Sequence, residues 1–437
     1  MSILLINPPA PFLAFANAAP HIGVGYLISY LRDYGMEVNY LNLESTDPDD
    51  VKIPEGYDYY GITSVTPQYF FAKLVHQQIV ERKLGKTIIG GGHASIMPQE
   101  CLADGFDYVV RGYGEIALLG ILDGKQFPGI IQGTMVENLD ALSFPAWGDL
   151  LRDKFDASYG NHIAHIFSQR GCPFDCHYCC SPAIYGTQVR QRSISNVIFE
   201  IRSLKERYGV DSIYFFDPTL TIVRKRAIEL AEGLFPLDMD WTGQTRVDKI
   251  DPELLRTLKR AGCNQISFGI ETGSTQTHQT LGKDTTVKEN EDAIKMAHDV
   301  GMRVKVFLMG ALPDENEKSA ELFKEFILKN KPDDWLYSTF IPLPGTAYWK
   351  DPEKFGIEIL CKDFRTYYPL GVNARGPVNI NGRYLKRDQL VETRNDILDF
   401  LRKEVPNKRV EQAIDLFKVQ KPILMKFFKD LDTDYIF

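Results

Sequence analysis

The chain has 437 residues, 44% of them hydrophobic and 25% charged, which is typical of a globular protein with several domains. The formal net charge of −8 argues against a nucleic-acid-binding protein, because such proteins usually present a basic face. No apolar run approaches the roughly 20 residues that span a bilayer, and the N-terminal residues lack the pattern of a signal peptide. We therefore expect a cytoplasmic protein whose partners include neither a membrane nor a nucleic acid.

Short apolar segments alternate with helical patterns over the first 135 residues. This alternation predicts βαβ units, and hence an α/β domain with a doubly wound, Rossmann-like parallel sheet. Ligands of such sheets bind beyond the carboxyl ends of the strands. The predicted strands are Ile3–Asn7, Glu37–Leu43, Tyr59–Thr63, Thr87–Ile89 and Tyr108–Arg111.

The pattern changes over residues 136–160, which we interpret as a linker. Strand–helix alternation then resumes and predicts a partial (β/α)6 barrel over residues 161–350, with its chemistry at the C-terminal ends of the strands. Residues 351–437 carry two amphipathic helical patterns, and we expect this mostly helical segment to cap the barrel and shape substrate specificity. The predicted barrel strands are Ala164–Gln169, Ser212–Phe216, Asp240–Thr245, Gln265–Gly269, Arg303–Leu308 and Trp335–Ile341.

Three of the seven cysteines, Cys172, Cys176 and Cys179, lie within eight residues, directly after the first predicted barrel strand. Such crowding favours metal ligation over a disulfide framework. Three thiolates in one loop can hold three irons of a cubane cluster, which normally takes four cysteines. Cys180 adjoins a ligand, and adjacent residues rarely reach two corners of one cluster. One iron is then left open, which indicates catalysis rather than a structural role.

Two other interpretations of the cysteine motif stay open at this point. A zinc site needs four ligands, and His177 could supply the fourth. A redox dithiol would use Cys176 and Cys179, although the thioredoxin pattern that accompanies such a pair is absent. The remaining cysteines have no ligand spacing and are expected to be ordinary buried thiols. They are Cys101, Cys180, Cys263 and Cys361.

The motif in residues 170–179 (RGCPFDCHYC), placed at the end of the first strand of a predicted barrel, resembles the radical S-adenosylmethionine (SAM) superfamily. This resemblance implies a 4Fe-4S cluster whose open iron is chelated by the amino and carboxylate groups of SAM. It implies reductive cleavage of SAM to methionine and a 5′-deoxyadenosyl radical that abstracts hydrogen from a substrate. A flavodoxin- or ferredoxin-type electron donor is implied as a partner.

Segments at later strand ends resemble the same superfamily, most clearly residues 268–274 (FGIETGS). By this resemblance Tyr178 lies against the adenine of SAM and Glu271 accepts hydrogen bonds from its ribose hydroxyls. Gln244 falls near the SAM amino group, where relatives often carry an acidic residue, and Lys283 falls near the SAM carboxylate. The other similar segments are 215–219 (FFDPT), 241–248 (WTGQTRVD), 309–315 (MGALPDE) and 340–346 (FIPLPGT).

The first 135 residues resemble the cobalamin-binding domain that precedes many radical SAM enzymes, most clearly in residues 7–9 (NPP), 91–95 (GGHAS) and 111–115 (RGYGE). The Asp-x-His-x-x-Gly motif that supplies a histidine to cobalt is absent, so the implied cobalamin has no histidine ligand. His21 and His93 are accordingly expected to be hydrogen-bonded fillers of loops rather than ligands to cobalt. The implied cobalamin contacts are Pro8, Thr66, Gln68, Gly91, Gly92, His93 and Glu115. Retention of the fold without the cofactor stays open as an alternative.

The two resemblances together predict a cobalamin-dependent radical SAM methyltransferase that methylates an unactivated carbon of a small molecule or peptide. One alternative keeps the radical chemistry but ends in cyclisation, oxidation or rearrangement without methyl transfer. A second is a non-catalytic cluster or corrinoid sensor. Glu271 and Lys283 argue against a sensor, because an inert cluster needs no contacts to a nucleoside.

Overall fold

The structure is a computed structural model that describes residues 1–13, 15, 16, 19–151, 163–368 and 375–431. Most of the second half of the predicted linker, residues 152–160, lies outside the described residues. The chain forms two six-stranded parallel sheets, one after the other, and a C-terminal segment that contacts both. None of the helices formed by the described residues is long and apolar enough to cross a lipid bilayer.

The N-terminal unit is a parallel sheet covered by helices on both faces. Ile3 and Leu5 belong to one apolar cluster and Leu4 and Ile6 to another, because successive side chains of a strand point to opposite faces. The strands are β1 (Ser2–Asn7), β2 (Glu37–Asn42), β3 (Tyr59–Thr63), β4 (Lys86–Gly90), β5 (Tyr108–Gly112) and β6 (Gly129–Gly133), in the order β2-β1-β3-β4-β5-β6. The helices are α1 (Ile22–Asp33), α2 (Tyr69–Glu81), α3 (Gly92–Ile96), α4 (Pro98–Ala103) and α5 (Glu115–Leu122), and α6 (Trp147–Leu150) follows.

The second unit is an open, curled sheet of six parallel strands, which confirms the predicted partial barrel. Its strands are β7 (Ile163–Ile166), β10 (Ser212–Phe215), β11 (Asp240–Thr245), β12 (Cys263–Glu271), β13 (Arg303–Gly310) and β14 (Asp334–Thr339), in the order β14-β13-β12-β11-β10-β7. A short antiparallel hairpin, β8 (Gln169–Arg170) and β9 (Arg190–Gln191), flanks the cysteine motif. The helices are α7 (Ser181–Tyr185), α8 (Ile194–Tyr208), α9 (Arg224–Leu234), α10 (Pro252–Arg260), α11 (Thr275–Gln279), α12 (Val287–Asp299), α13 (Ser319–Asn330) and α14 (Ala347–Lys350).

The C-terminal segment contains a small hairpin, β15 (Glu358–Ile359) and β16 (Ile380–Asn381), and the helices α15 (Arg387–Glu404) and α16 (Lys408–Phe427). The 20-residue helix α16 is about 30 Å long at 1.5 Å per residue. It begins beside the barrel, where Asn407 donates a hydrogen bond to Asp334 over 2.8 Å. It ends on the N-terminal unit, where the ring of Phe427 lies 5.8 Å from that of Phe71. The helix therefore connects the two sheets.

The sheets also share an apolar core. Ile22 and Tyr26 of α1 belong to the same buried cluster as the outward-facing side chains of the barrel strands, such as Ala164 and Phe215. The indole nitrogen of Trp147 on α6 donates to Glu200 on α8 over 2.8 Å. These contacts pack helices α1 and α6 of the first unit against the barrel.

Candidate active site

The cysteine loop, residues 171–180, leaves the hairpin strand β8 through Gly171. This glycine has a φ of +90°, and a Cβ there would lie 2.1 Å from the backbone oxygen of Gln188. Only glycine fits both constraints, since a side chain would be strained and would collide with backbone. The loop therefore starts at a position that the backbone itself fixes.

The loop docks onto the segment that follows α11. The backbone nitrogen of His177 donates to Leu281 over 2.9 Å, and its Nδ1 lies 2.9 Å from the backbone oxygen of Thr280. The imidazole packs against the ring of Phe355 at 5.1 Å, and its Nε2 lies so close to Gly282 that a Cβ there would be 2.5 Å away. The ring of His177 is thus held by a hydrogen bond at Nδ1 and by packing against Phe355 and Gly282.

The three thiols fit an iron–sulfur cluster. Cys172, Cys176 and Cys179 are free, partly exposed and close enough for their charges to interact. Among the described residues, no three His, Cys, Asp or Glu side chains surround the position of a single metal ion. The thiolates of a cubane each bind a different iron, so that finding does not bear on a cluster.

Two cations lie beside Cys176. Burial raises the pKa of the Cys176 thiol to about 11, while the positive charges of Lys283 and Arg246 act in the opposite direction. A guanidinium nitrogen of Arg246 lies 3.9 Å from the Cys176 sulfur. A buried thiolate needs such compensation, because burial alone disfavours its charge.

The structure brings together three of the four predicted SAM contacts. The carboxylate of Glu271 accepts a hydrogen bond from the Tyr178 hydroxyl over 3.0 Å and forms an ion pair with Lys283 over 2.7 Å. Glu271 lies at a β-bulge at the end of β12 and has a φ of +67°, a conformation that non-glycine residues rarely adopt. Burial and the negative charge of Glu271 raise the pKa of Tyr178 well above its usual value. Strained backbone of this kind clusters at functional sites.

Gln244, the fourth predicted SAM contact, lies apart from this group. It is on the inner face of β11, where its Oε1 accepts a 3.3 Å hydrogen bond from the hydroxyl of Tyr214. Its predicted contact with the SAM amino group stays a prediction.

The inner face of the curled sheet has an aromatic side and a polar centre. Phe216 directly follows β10, and its ring is 41% exposed. This ring lies 5.4 Å from that of Tyr214, 5.2 Å from His165 and 5.9 Å from Phe167. By strand register, Gln244 and Ser267 continue the same row across β11 and β12. The Ser267 hydroxyl is buried and has no hydrogen-bond partner among the described residues. The lumen therefore offers ring faces on one wall and polar groups on the next.

The carboxyl edge of the N-terminal sheet forms a ledge with little side chain over it. We call Val65 and residues 90–92 the ledge: Val65 is 50% exposed, and a Cβ at Gly90 would meet nothing within 4 Å. Gly91 has a φ of +94°, and a Cβ there would lie 2.8 Å from the backbone oxygen of Ser64. The ledge fits a large ligand that approaches backbone closely, as cobalamin does.

Three of the predicted cobalamin contacts lie beneath this ledge and bond to protein. Gln68 donates to the backbone oxygen of Pro8 over 2.7 Å and to Asn7 over 3.0 Å. His93 is fully buried, stacks on Tyr69 at 3.9 Å, and places its Nδ1 3.3 Å from the Thr66 hydroxyl. These side chains support the ledge from below, and burial lowers the pKa of His93 so that its ring is neutral.

The side chain of Glu115, another predicted cobalamin contact, binds a residue at the start of the cysteine loop. Its carboxylate forms a 2.6 Å ion pair with Arg170, the residue before Gly171, and both side chains are largely buried. The Arg170 guanidinium also lies over the rings of Tyr26 at 4.7 Å and Tyr113 at 5.7 Å. The pair therefore joins the edge of the first sheet to the start of the cysteine loop.

Sequence reasoning missed Arg170 and Arg246 as functional candidates. Arg170 lies in the segment 170–179 at the start of the cysteine motif, and Arg246 lies in the segment 241–248, directly after strand β11. A basic residue at such a place is a usable signal, but its partner, Glu115 or Cys176, is more than 50 residues away in the chain. Only the fold reveals which groups they contact.

A Rossmann-like sheet with a ledge, followed by an open parallel barrel with three loop cysteines, has the domain order of radical SAM proteins that carry a cobalamin-binding domain. Residues 166–327 match the model of the radical SAM superfamily, and residues 12–122 match that of the B12 binding domain. The chain thus carries a radical SAM domain behind a B12-binding domain, as the sequence motifs predicted. Its cofactors are accordingly a 4Fe-4S cluster, SAM and cobalamin.

The chain is similar to methyltransferases along most of its length. It is 29% identical to an uncharacterized methyltransferase of Pyrococcus horikoshii over 80% of this chain and 83% of the relative. It is 26% identical to the cytidylyl-2-hydroxyethylphosphonate methyltransferase of Streptomyces wedmorensis over 74% of this chain and 75% of that protein.

Two solved structures share the fold. The cobalamin-dependent radical SAM enzyme OxsB gives a TM-score of 0.69 at 14% identity, covering 98% of this chain and 75% of that one. The radical SAM methyltransferase TsrM from Kitasatospora setae, with cobalamin and a 4Fe-4S cluster bound, gives 0.66 at 17% identity, covering 83% and 77%. These likenesses confirm the predicted fold class of a cobalamin-binding-type domain, a partial barrel and a helical C-terminal region.

Proposed function

We propose that the protein is a cobalamin-dependent radical SAM methyltransferase that methylates an unactivated carbon of a small molecule. The observation that carries this proposal is that the helix directly after the cysteine loop packs against the ledge. Helix α7 begins two residues after Cys179, and the Ile184 side chain comes within 3.5 Å of where a Cβ of Gly92 would lie. A cluster site and a corrin site at one opening suit a reaction that uses both cofactors on one substrate.

The residues of this chain divide into holders of three cofactors. Cys172, Cys176 and Cys179 hold the cluster, and Tyr178, Glu271 and Lys283 contact SAM. When bound, the cluster would supply the electron that cleaves SAM to methionine and a 5′-deoxyadenosyl radical, and cobalamin would supply the methyl group. Glu271 fits the ribose because one oxygen of its carboxylate, Oε1, is fixed by both the Tyr178 hydroxyl and the Lys283 ammonium.

The ledge residues bind the corrin from one side without a histidine ligand to cobalt. His93 supports this assignment, because it is buried under Phe364 and stacked on Tyr69 rather than presented to solvent. Val65 and Gly92 would hold the corrin instead. The electron comes from a flavodoxin- or ferredoxin-type protein, and the chain operates in the cytoplasm.

The substrate binds in the barrel lumen, below the SAM contacts. The exposed ring of Phe216 and its neighbour Phe167 bury an apolar part of the substrate, beside polar groups of the neighbouring strands. Such a mixture of ring faces with a few polar groups is typical of small-molecule sites. Burial of the substrate inside the curled sheet also keeps water away from a reactive carbon radical.

The experiment is anaerobic reconstitution with iron, sulfide, hydroxocobalamin and SAM that carries a deuterated methyl group, under a low-potential reductant. We expect 5′-deoxyadenosine and a deuterated methyl group on the corrinoid, both detected by mass spectrometry. The variant in which Cys172, Cys176 and Cys179 are all alanine should lose 5′-deoxyadenosine formation, while Cys180→Ala is the matched control that retains it. Nucleoside formation that survives the triple replacement contradicts the cluster assignment.

The corrinoid content separates methyl transfer from the other radical outcomes. Protein from cobalamin-fed cells should retain about one corrinoid per chain and, when supplied with SAM that carries a deuterated methyl group, transfer that methyl group to a substrate. Cleavage of SAM without any bound corrinoid at saturating supply would instead favour cyclisation, oxidation or rearrangement.

A further inference from the structure

Arg246 is a buried cation that contacts the cysteine loop. It follows β11 directly, is only 6% exposed, and points its guanidinium at the cysteine loop. One nitrogen donates to the backbone oxygen of Lys283 over 2.6 Å and another lies 3.9 Å from the Cys176 sulfur. Its planar face covers the ring of Phe174 at 3.8 Å. The residue therefore touches the loop, a cluster ligand and the SAM-contact segment at once.

The geometry of these contacts needs a guanidinium. The side chain stacks its plane on Phe174 while its edges donate to three different acceptors, the third being the Asp248 carboxylate at 2.8 Å. A lysine ammonium is a compact point charge and cannot stack and fork in this way. Buried in this position, the charge is poorly screened by solvent, so its effect on a neighbouring charged group is large.

We propose that Arg246 is a positioning residue that sets the reduction potential of the cluster, by fixing Cys176 and by placing a positive charge beside its sulfur. Reduction adds one electron to the cluster and forms or breaks no bond, so the cluster with its thiolates becomes more negative by one charge. The electron comes from an external low-potential reductant. Arg246 stabilises that more negative state, and hydrogen bonds to cluster sulfurs and nearby charge are recognised determinants of cluster potential.

Asp248 and Lys249 give the inference its internal controls. Asp248 opposes the charge of Arg246 at 2.8 Å, so removing its negative charge acts in the opposite direction. Lys249 also lies near Phe174, at 5.6 Å, but its side chain is 34% exposed and it pairs with Asp248 at 3.1 Å. Solvent screens an exposed charge of this kind, so Lys249 should matter little.

The experiment is an anaerobic redox titration of the reconstituted full-length protein without SAM, cobalamin or substrate, followed by electron paramagnetic resonance of the reduced cluster. At a fixed solution potential, Arg246→Gln should lower the ratio of reduced to oxidised cluster about tenfold, which corresponds to about 59 mV for a one-electron couple. Arg246→Lys keeps the charge but loses the fork, and should lower the ratio about threefold. Asp248→Asn should raise the ratio, and Lys249→Gln should leave it within twofold of the unmodified protein.

We expect the ratio of reduced to oxidised cluster to fall in Arg246→Gln and to rise in Asp248→Asn. General loosening of the loop would instead change this ratio in the same direction in both variants. If the Arg246→Gln protein takes up no cluster, the Arg246→Lys protein becomes the test. An unchanged reduction potential in Arg246→Lys, measured at full cluster content, overturns the inference. A potential in Arg246→Gln equal to that of the unmodified protein also overturns it. The inference rests on the proposed function only for the identity of the cluster. Failure of methyl transfer would leave the titration result standing, whereas absence of any reducible cluster would refute the proposed function itself.

Discussion

The Glu115–Arg170 pair tests whether the two sheets are held in one arrangement. Glu115→Gln keeps the shape of the side chain and removes its charge, which leaves the Arg170 guanidinium buried without a counter-charge. The pair is 2.6 Å long, and its side chains are 4% and 13% exposed. Breaking a buried ion pair from one side costs about 3 to 5 kcal/mol. We expect the lower end, about 3 kcal/mol, because Arg170 retains its contacts with Tyr26 and Tyr113.

A double-mutant cycle isolates the interaction from the cost of leaving one charge unpaired. Arg170→Met alone should also destabilise, but the combined Glu115→Gln, Arg170→Met variant should lose about 2 kcal/mol less than the sum of the two. Urea unfolding followed by tryptophan fluorescence is the assay, since Trp147 lies at the boundary between the sheets. The exposed pair Lys295–Asp299 on α12 is the control cycle and should show no resolvable coupling. Additive effects of the two Glu115–Arg170 replacements would refute this reasoning.

Three further outcomes follow from the site. Glu271→Ala should raise the SAM concentration needed for 5′-deoxyadenosine formation at least tenfold while the visible spectrum of the cluster stays intact; loss of the cluster would make Glu271 structural. Gly171→Ala should reduce the iron content of the reconstituted protein because of the collision with Gln188, whereas Gly186→Ala, which has φ +74° and open space, should not. Burial lowers the pKa of His165 to about 4, below its unfolded value of 6.5, so its contribution to stability is present above pH 6.5 and is lost as pH falls towards 4. That contribution is about 3 kcal/mol, and His165→Phe should flatten the dependence of unfolding free energy on pH in this window, as measured by urea unfolding at pH 4.5 and 7.

The sheet architecture could be predicted because hydrophobic period and strand ends are local signals. Ile3–Asn7 is buried on both faces, which identifies a central parallel strand from its continuous apolar run. The strand Gly129–Gly133 was not predicted, since its only apolar side chains are Ile130 and Ile131 and glycine, which is depleted in strands, occupies both ends. The additional hairpins of two residues per strand are equally invisible to periodicity.

The candidate metal ligands could be proposed from the sequence because three residues of one type occur in one loop, which is itself a local signal. The surroundings of the cluster could not, because they depend on side chains from several strands. Glu115 is in a motif that indicates a ligand edge, and the sequence gives no reason for it to bond Arg170 rather than a cofactor. Gln244 is at the expected strand position, yet its rotamer and its bond to Tyr214 depend on packing in the lumen. Motifs therefore locate the edge of a site, while tertiary contacts decide the role of each side chain there.

The arrangement of Arg170 and Arg246 explains how one loop can serve two domains. Arg170 fixes the N-terminal end of the cysteine loop to the cobalamin-binding-type sheet through Glu115, and Arg246 fixes its centre to β11 and to the backbone of Lys283. Because both guanidinium groups are largely buried, each is expensive to displace without its partners. A shift of one sheet relative to the other must therefore strain the loop between these two points. The position of the cysteine loop is thus coupled physically to the ledge and to the proposed SAM contacts, which the proposed use of all three cofactors requires.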